Sequence, residues 1–352
     1  MKNSKRFLSL FLAVVLCFNL GGAITSASAT NSSLLSEEQM LALADALSGV
    51  EVQKEMICLD DVDFSSLQLG NPIQTYVYIN ETFEPGYMLY PIMSHTDLVL
   101  WAVNLDGQFQ LTTALVSEVN SLVDTGKSFA LVYDQDSAYL YMDGTFFLLK
   151  ASVLDNPSRS VLDPNMPCDT LQTTALEGKD FLPHDRQITR AQRYFSCNVK
   201  VTLQTPYDSL CWAAVTACIS NYLYGTNLTA EKVAQKYHGS IIDFNKYVLD
   251  QNVQGVLDTY DIPYSYRLNV PSDDIILNNI KNNYPLYSNW RYAIEGKHAN
   301  CIYATDIMNG YIYIMDPLVG FISVPPSSSG GYSYVQSGDT LTLYAAGCRY
   351  WR

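Results

Sequence analysis

Between Cys211 and Ala345 the hydrophobic period changes once, from helical to alternating. That single change restricts the second half of the chain to helices followed by an antiparallel sheet on which they pack. The apolar positions Ala213, Val215, Ile219, Tyr222 and Leu223 predict a buried helix that opens at Cys211 and closes at Gly225 and Asn227. A second helix starts around Thr229 and runs through about Tyr237, closed by His238 and Gly239, where the histidine reads as a structural helix end. Lys246–Tyr260 gives a third helix and Asp273–Asn282 a fourth, with Ser272 or Pro271 at its start. From Tyr284 the period is two, over Tyr284–Trp290, His298–Asp306, Tyr311–Met315, Phe321–Val324 and Thr340–Ala345. Asn309-Gly310 signals a hairpin between the second and third of these strands. A two-residue turn there sets Met308 opposite Tyr311 and Asp306 opposite Tyr313.

The first half reads differently. Ser36 caps a short amphipathic helix over Glu37–Leu47, and residues 75–150 then follow the strand period with Asp106-Gly107 and Asp143-Gly144 as tight hairpin turns. With a helix over Ala114–Val123, this is a small α+β unit on an antiparallel sheet, and nothing in it assembles a reactive centre; His95 reads as a surface histidine. Residues 151–190 have weak periodicity and carry Pro157, Pro164, Pro167 and Pro183, the pattern of a protease-sensitive linker. The expected organisation is therefore a segment 1–29, an acidic α+β unit 30–150, a linker 151–190 and a second α+β unit 191–352.

Segment 1–29 fixes the expected compartment. Lys2, Lys5 and Arg6 precede the apolar run Phe7–Leu20, and Ala27-Ser28-Ala29 is a small-x-small cleavage pattern, so the expectation is a signal peptide and an exported product. No later run approaches the length of a membrane span, so no membrane association is expected after signal removal. In 352 residues, 48% hydrophobic and 16% charged, sizeable cores are affordable. The net charge of −14 is uneven: residues 30–190 hold 23 acids and 7 bases, residues 191–352 hold 12 acids and 11 bases. No basic stripe exists, which argues against a nucleic-acid partner. Seven cysteines follow the signal at irregular spacing without a C-x-x-C, so neither a disulfide scaffold nor a metal site is indicated, and no cofactor is expected. A Cys197–Cys348 bridge is the one pairing the sequence suggests; Cys218 and Cys301 read as core thiols.

Cys211 is the exception. At the first turn of a helix the free N–H groups and the dipole favour a thiolate, the nucleophilic form of sulfur. A nucleophilic thiol needs a base close by and a third group to orient that base. His298 begins a strand and Asp316 ends the strand beyond the hairpin, so both fall toward one end of the ladder, Asp316 to be brought within reach of the imidazole Nδ1 by twist or a bulge. Gln204 can offer a side-chain donor to an oxyanion beside the Cys211 backbone N–H.

Gln204, Cys211-Trp212-Ala213-Ala214, His298-Ala299 and Met315-Asp316-Pro317, in that order, resemble the papain-fold cysteine peptidases. The similarity is greatest to bacterial members: staphopain- and streptopain-like enzymes, papain-like effectors and bacteriocin-leader peptidases. It spans roughly residues 195–350. The resemblance implies a helical part plus an antiparallel sheet, protein or peptide substrates, Cys211 as nucleophile, His298 as general base and acid, Asp316 as the orienting residue and Gln204 as the oxyanion-hole donor. Gln204 departs from the family pattern, lying seven residues before the cysteine where six is usual. Secreted members carry a prosegment over the cleft, which implies residues 30–150 as an inhibitor and a zymogen cut near Arg190 or Arg193; a surface-binding module is the alternative. A transglutaminase-like or amidase-type acyl transferase and a catalytically inert binding protein on the same fold remain the competing functions. The 87 residues from Cys211 to His298, filled with helices, favour the peptidase plan.

Overall fold

The computed structural model describes residues 35–352 except 125, 135–136, 152–161, 163–167, 169, 184–192, 205–208, 240–246, 294–295, 329 and 337–338. The signal segment, Arg186 and Arg190 of the expected processing region, and Pro206-Tyr207 lie outside the described residues.

Ser36 and Gln39 close a reciprocal capping box, each side chain bonding the other's backbone N–H, and launch helix Glu37–Val52. The helix runs five residues beyond the expected Leu47. Gly49 lies inside it at a close approach: a Cβ there would strike the buried Tyr313 hydroxyl and touch the Tyr194 ring. Gly49→Ala is therefore expected to destabilise the protein by about 1–3 kcal/mol through overpacking, read as a lowered denaturation midpoint; an unchanged midpoint would contradict this packing.

The first sheet forms around both expected hairpins. Leu105 pairs with Gln108 and Met142 with Thr145, while Asp106-Gly107 and Asp143-Gly144 take the paired positive φ values that two-residue turns demand. The sheet is not wholly antiparallel as expected. Ile73–Ile79 runs parallel to Ser128–Asp134, with Thr75 opposite Leu131, because the hairpins and helix Val116–Leu122 between them form a crossover. Trp101, Val119, Phe129, Leu131 and Leu140 share its core. Part of the expected linker also belongs to this sheet. Gly178–Phe181 pairs with Gln68–Gly70, and Thr174 opposes Phe129. Leu162, Cys168 and Leu171 are buried against Tyr76 and Val132, so apolar anchors spaced through a polar segment fold it onto the first unit.

In the second unit, helix Cys211–Tyr224 buries every side chain from Trp212 to Ser220 and stops at Gly225, whose φ of 64° is the left-handed C-cap. It packs on strands Leu286–Tyr292 and Lys297–Asp306. Helices Ala230–His238, Asp250–Thr259 and Asp273–Lys281 follow, the last capped by Ser272. The antiparallel order is Ser265–Arg267, Asp339–Cys348, Leu286–Tyr292, Lys297–Asp306, Tyr311–Asp316, Gly320–Val324. The central hairpin departs from expectation: Asp306 opposes Tyr311, not Tyr313, around the loop Ile307–Gly310. Asp306 widens the turn by accepting from the Met308 N–H at 3.0 Å and drawing the Gly310 N–H to its carbonyl. A bulge between Ile302 and Ala304 then sets Cys301 opposite Met315.

The two sheets are continuous. Gly320–Val324 pairs on its outer edge with Gln108–Thr112, Ser323 opposite Leu111 and Ile322 opposite Thr112, and residues 35–352 make one compact unit of mixed α+β structure. No helix among the described residues is long and apolar enough to cross a membrane.

Candidate active site

Cys211 is the first residue of its helix. Leu210 caps without a side-chain bond, so the first-turn N–H groups face the sulfur's end of the helix. Its half-exposed thiol differs from those of Cys168, Cys197, Cys218, Cys301 and Cys348, which are buried; Cys58 is exposed but sits in the first unit. Cys197 and Cys348 are not bridged to each other. Each is a buried thiol whose pKa burial pushes up to about 12, a core sulfur and not a reactive one.

The sheet supplies the base. His298 follows Lys297 at the start of its strand, paired in register with Trp290 on the neighbouring strand, and is buried. Its Nε2 lies 3.0 Å from Asp316 Oδ1. The expected partner nitrogen was Nδ1. The carboxylate meets Nε2 instead, and Cys211 acts on the same ring.

Asp316 is completely buried and accepts three bonds: from His298, from the Leu318 N–H at 2.7 Å and from the Tyr334 hydroxyl at 2.9 Å. Burial alone would raise its pKa; the His298 charge and these donors outweigh burial and hold it below the ordinary carboxylate value. The histidine responds in the opposite sense. Burial would lower its pKa, but the Asp316 charge and hydrogen bond, then Cys211, raise it to about 10. The imidazole thus holds a proton it can deliver.

Three further residues support this pair and escaped the sequence reading. Tyr334 orients Asp316, and the Asn300 amide lies 2.7 Å from the Tyr334 hydroxyl. Tyr292 tilts its ring toward His298, centroids 6.4 Å apart, with Gly296 close beneath it. Asn300 was findable, because two residues after His298 in a strand is the same face. Tyr334 was not, since it arrives from beyond the loop Ser327–Gly331. Trp290, whose place ahead of His298 on the neighbouring strand reads at least as well as a core aromatic as a shield for the ion pair, is fully buried, donates to Ser288 Oγ at 2.9 Å and packs edge-on against Tyr334 at 4.9 Å. Gln204 is buried, and its N–H donates to the carbonyl of Pro317, the residue after Asp316, at 3.0 Å.

Among the described residues no group of three or more His, Cys, Asp or Glu side chains could hold a metal ion. The site's chemistry is that of a thiol, an imidazole and a carboxylate: nucleophilic attack, proton transfer and acyl exchange.

Residues 193–325 match the family model described as papain-like cysteine protease AvrRpt2. No curated protein matches the chain at a significant level. The family match supports a papain-like cysteine peptidase, a hydrolase, over residues 193–325.

Proposed function

We propose that the chain is an endopeptidase in which Cys211, His298 and Asp316 form the catalytic set and Gln204 assists the oxyanion. Cys211 sulfur attacks the scissile carbonyl, forming a C–S bond, while its proton resides on His298. Collapse of the tetrahedral intermediate breaks the C–N bond as His298 protonates the leaving amine. Water, deprotonated by the same imidazole, then hydrolyses the thioester and returns the proton to the site. Asp316 stays ionised throughout and holds the ring. The observation that carries this reading is the imidazole held 3.0 Å from a fully buried carboxylate, with the partly exposed Cys211 acting on the same ring.

The test is product analysis. An unfolded protein substrate should yield new N-termini, and a large excess of primary amine should leave the products hydrolytic. Products carrying the amine would replace this reading with acyl transfer.

The finer reading is an exported enzyme of the staphopain- and streptopain-like branch, made as a precursor that is cut. The signal-peptide pattern and the polar stretch before residue 193 support it. Arg193 itself is buried and ion-paired, so the cut falls ahead of it, near Arg190. Expressing Cys211→Ala beside the wild type tests self-processing: a full-length variant beside a cut wild type is expected, and equal-sized products from both would remove self-processing.

A further inference from the structure

The buried seams between the first unit and the catalytic sheet point to a role other than that of a removable inhibitor. We propose that residues 35–181 are a standing part of the mature enzyme: after a cut ahead of Arg193 they remain bound without a covalent link, and they brace the turn that carries Asp316.

The first seam is a strand pairing. Without Gln108–Thr112, strand Gly320–Val324 would be the open edge of the catalytic sheet. The pairing is reinforced by side chains. The Leu111 N–H donates to Ser323 Oγ at 2.8 Å, and Thr112 Oγ1 and the Thr113 N–H both donate to the Phe321 carbonyl. Gly320 opposes Asp316 across the turn 316–320, so this seam holds the base of the loop from which Leu318 donates to the Asp316 carboxylate.

A second seam uses Gln110, which is wholly buried. Its amide donates to the Val335 carbonyl and accepts from the Val335 N–H, both at 2.8 Å, completing strand-like pairing next to Tyr334. Nearby the Tyr87 hydroxyl meets Thr340 Oγ1 at 2.8 Å. The third seam is ionic. Arg193 Nε and Nη2 bond Asp306 at 2.8 and 2.7 Å, its Nη1 bonds Asp45 at 3.0 Å, and Asn309 bonds the same Asp45. Ser48 meets the Tyr194 hydroxyl, and the bare Gly49 backbone receives Tyr313.

Departure of the first unit would take partners from both sides: from Gln110 on one and from Ser323 on the other, while Arg193 would keep Asp306 and lose Asp45. Water would have to replace the lost pairings, and an exposed strand edge invites aggregation. The intact chain also keeps the Cys211 thiol half-exposed. The bracing of Asp316 rests on the peptidase reading; the persistence of the two-piece assembly does not.

The test replaces residues 186–190 of the full chain with the recognition sequence of a site-specific protease. After complete cutting, the two pieces are expected to elute together at the size of the uncut protein, with kcat/KM on a peptide substrate changed by less than about twofold. Separation of the pieces in native buffer would overturn the proposal, as would a large rise in kcat/KM on cutting. Adding Asp45→Ala and Gln110→Ala should make the cut pieces separate at a lower denaturant concentration than in the parent, and an unmoved separation point would remove these seams as the cause. Coelution is read without activity, so an inert protein would sink the peptidase reading while leaving this result intact.

Discussion

Cys211→Ala is expected to lower kcat/KM for peptide hydrolysis by roughly 10⁴-fold or more, because the acyl-enzyme path is lost and only binding and oxyanion stabilisation remain. The fold should survive the change. Cys211 is half-exposed at the first helical position, and the helix gains its burial from Trp212 to Ser220. A melting temperature within a few degrees of wild type is the expected companion result. Turnover within tenfold of wild type would mean that a different group carries the chemistry. Loss of both turnover and fold would make the variant uninformative about mechanism, which is why the melt is measured on the same sample.

Asp316→Asn should move the alkaline limb of the pH profile. In the wild type His298 keeps its proton until pH approaches about 10, with the neighbouring carboxylate the main cause of the rise. Protonation of the leaving amine is therefore sustained well above the ordinary imidazole value of about 6.5. An amide preserves the shape but removes the charge, so the limb is expected to fall by about one unit or more, with kcat lower by roughly 10–100-fold. Stability follows with a definite sign. A raised histidine contributes stability that is full below about pH 6.5 and is lost as pH rises through about 10. A depressed aspartate contributes stability that is present above about pH 4 and is lost as pH falls through its folded value. The stability gap between wild type and Asp316→Asn should thus be widest from about pH 4 to 6.5 and narrow on either side. A gap that is flat with pH would contradict the charge pairing.

What the sequence disclosed was local. The thiol at a helix start, the histidine opening a strand and the aspartate closing another are each written in periodicity and turn residues within a dozen positions. The two tight hairpins of the first unit were legible for the same reason, since Asp-Gly at positive φ has few other uses. What escaped depends on partners far away in the chain. The register that carries Asp316 along the ladder is set by a bulge at Ile302–Ala304 and by Asp306 widening its own turn, and Asp306 does so while engaged by Arg193 more than a hundred residues upstream. Nothing near Gly49 in the sequence announces that Tyr313 must approach it. The merging of two sheets through Leu111 and Ser323 leaves no trace in either segment: an edge strand and a central strand have the same alternation until the neighbour is known. Tyr334 is the clearest case at the site, an ordinary buried tyrosine by pattern whose hydroxyl bonds the Asp316 carboxylate.

The central claim is that one half-exposed sulfur is activated by the histidine across the cleft. Mass spectrometry after treatment of the native protein with an epoxide inhibitor of papain-type thiols tests it most directly. The expected result is one adduct, on Cys211 and not on the exposed Cys58, forming in the wild type and largely lost in His298→Ala. Equal labelling of Cys58 and Cys211, or undiminished labelling of Cys211 without the histidine, would contradict it.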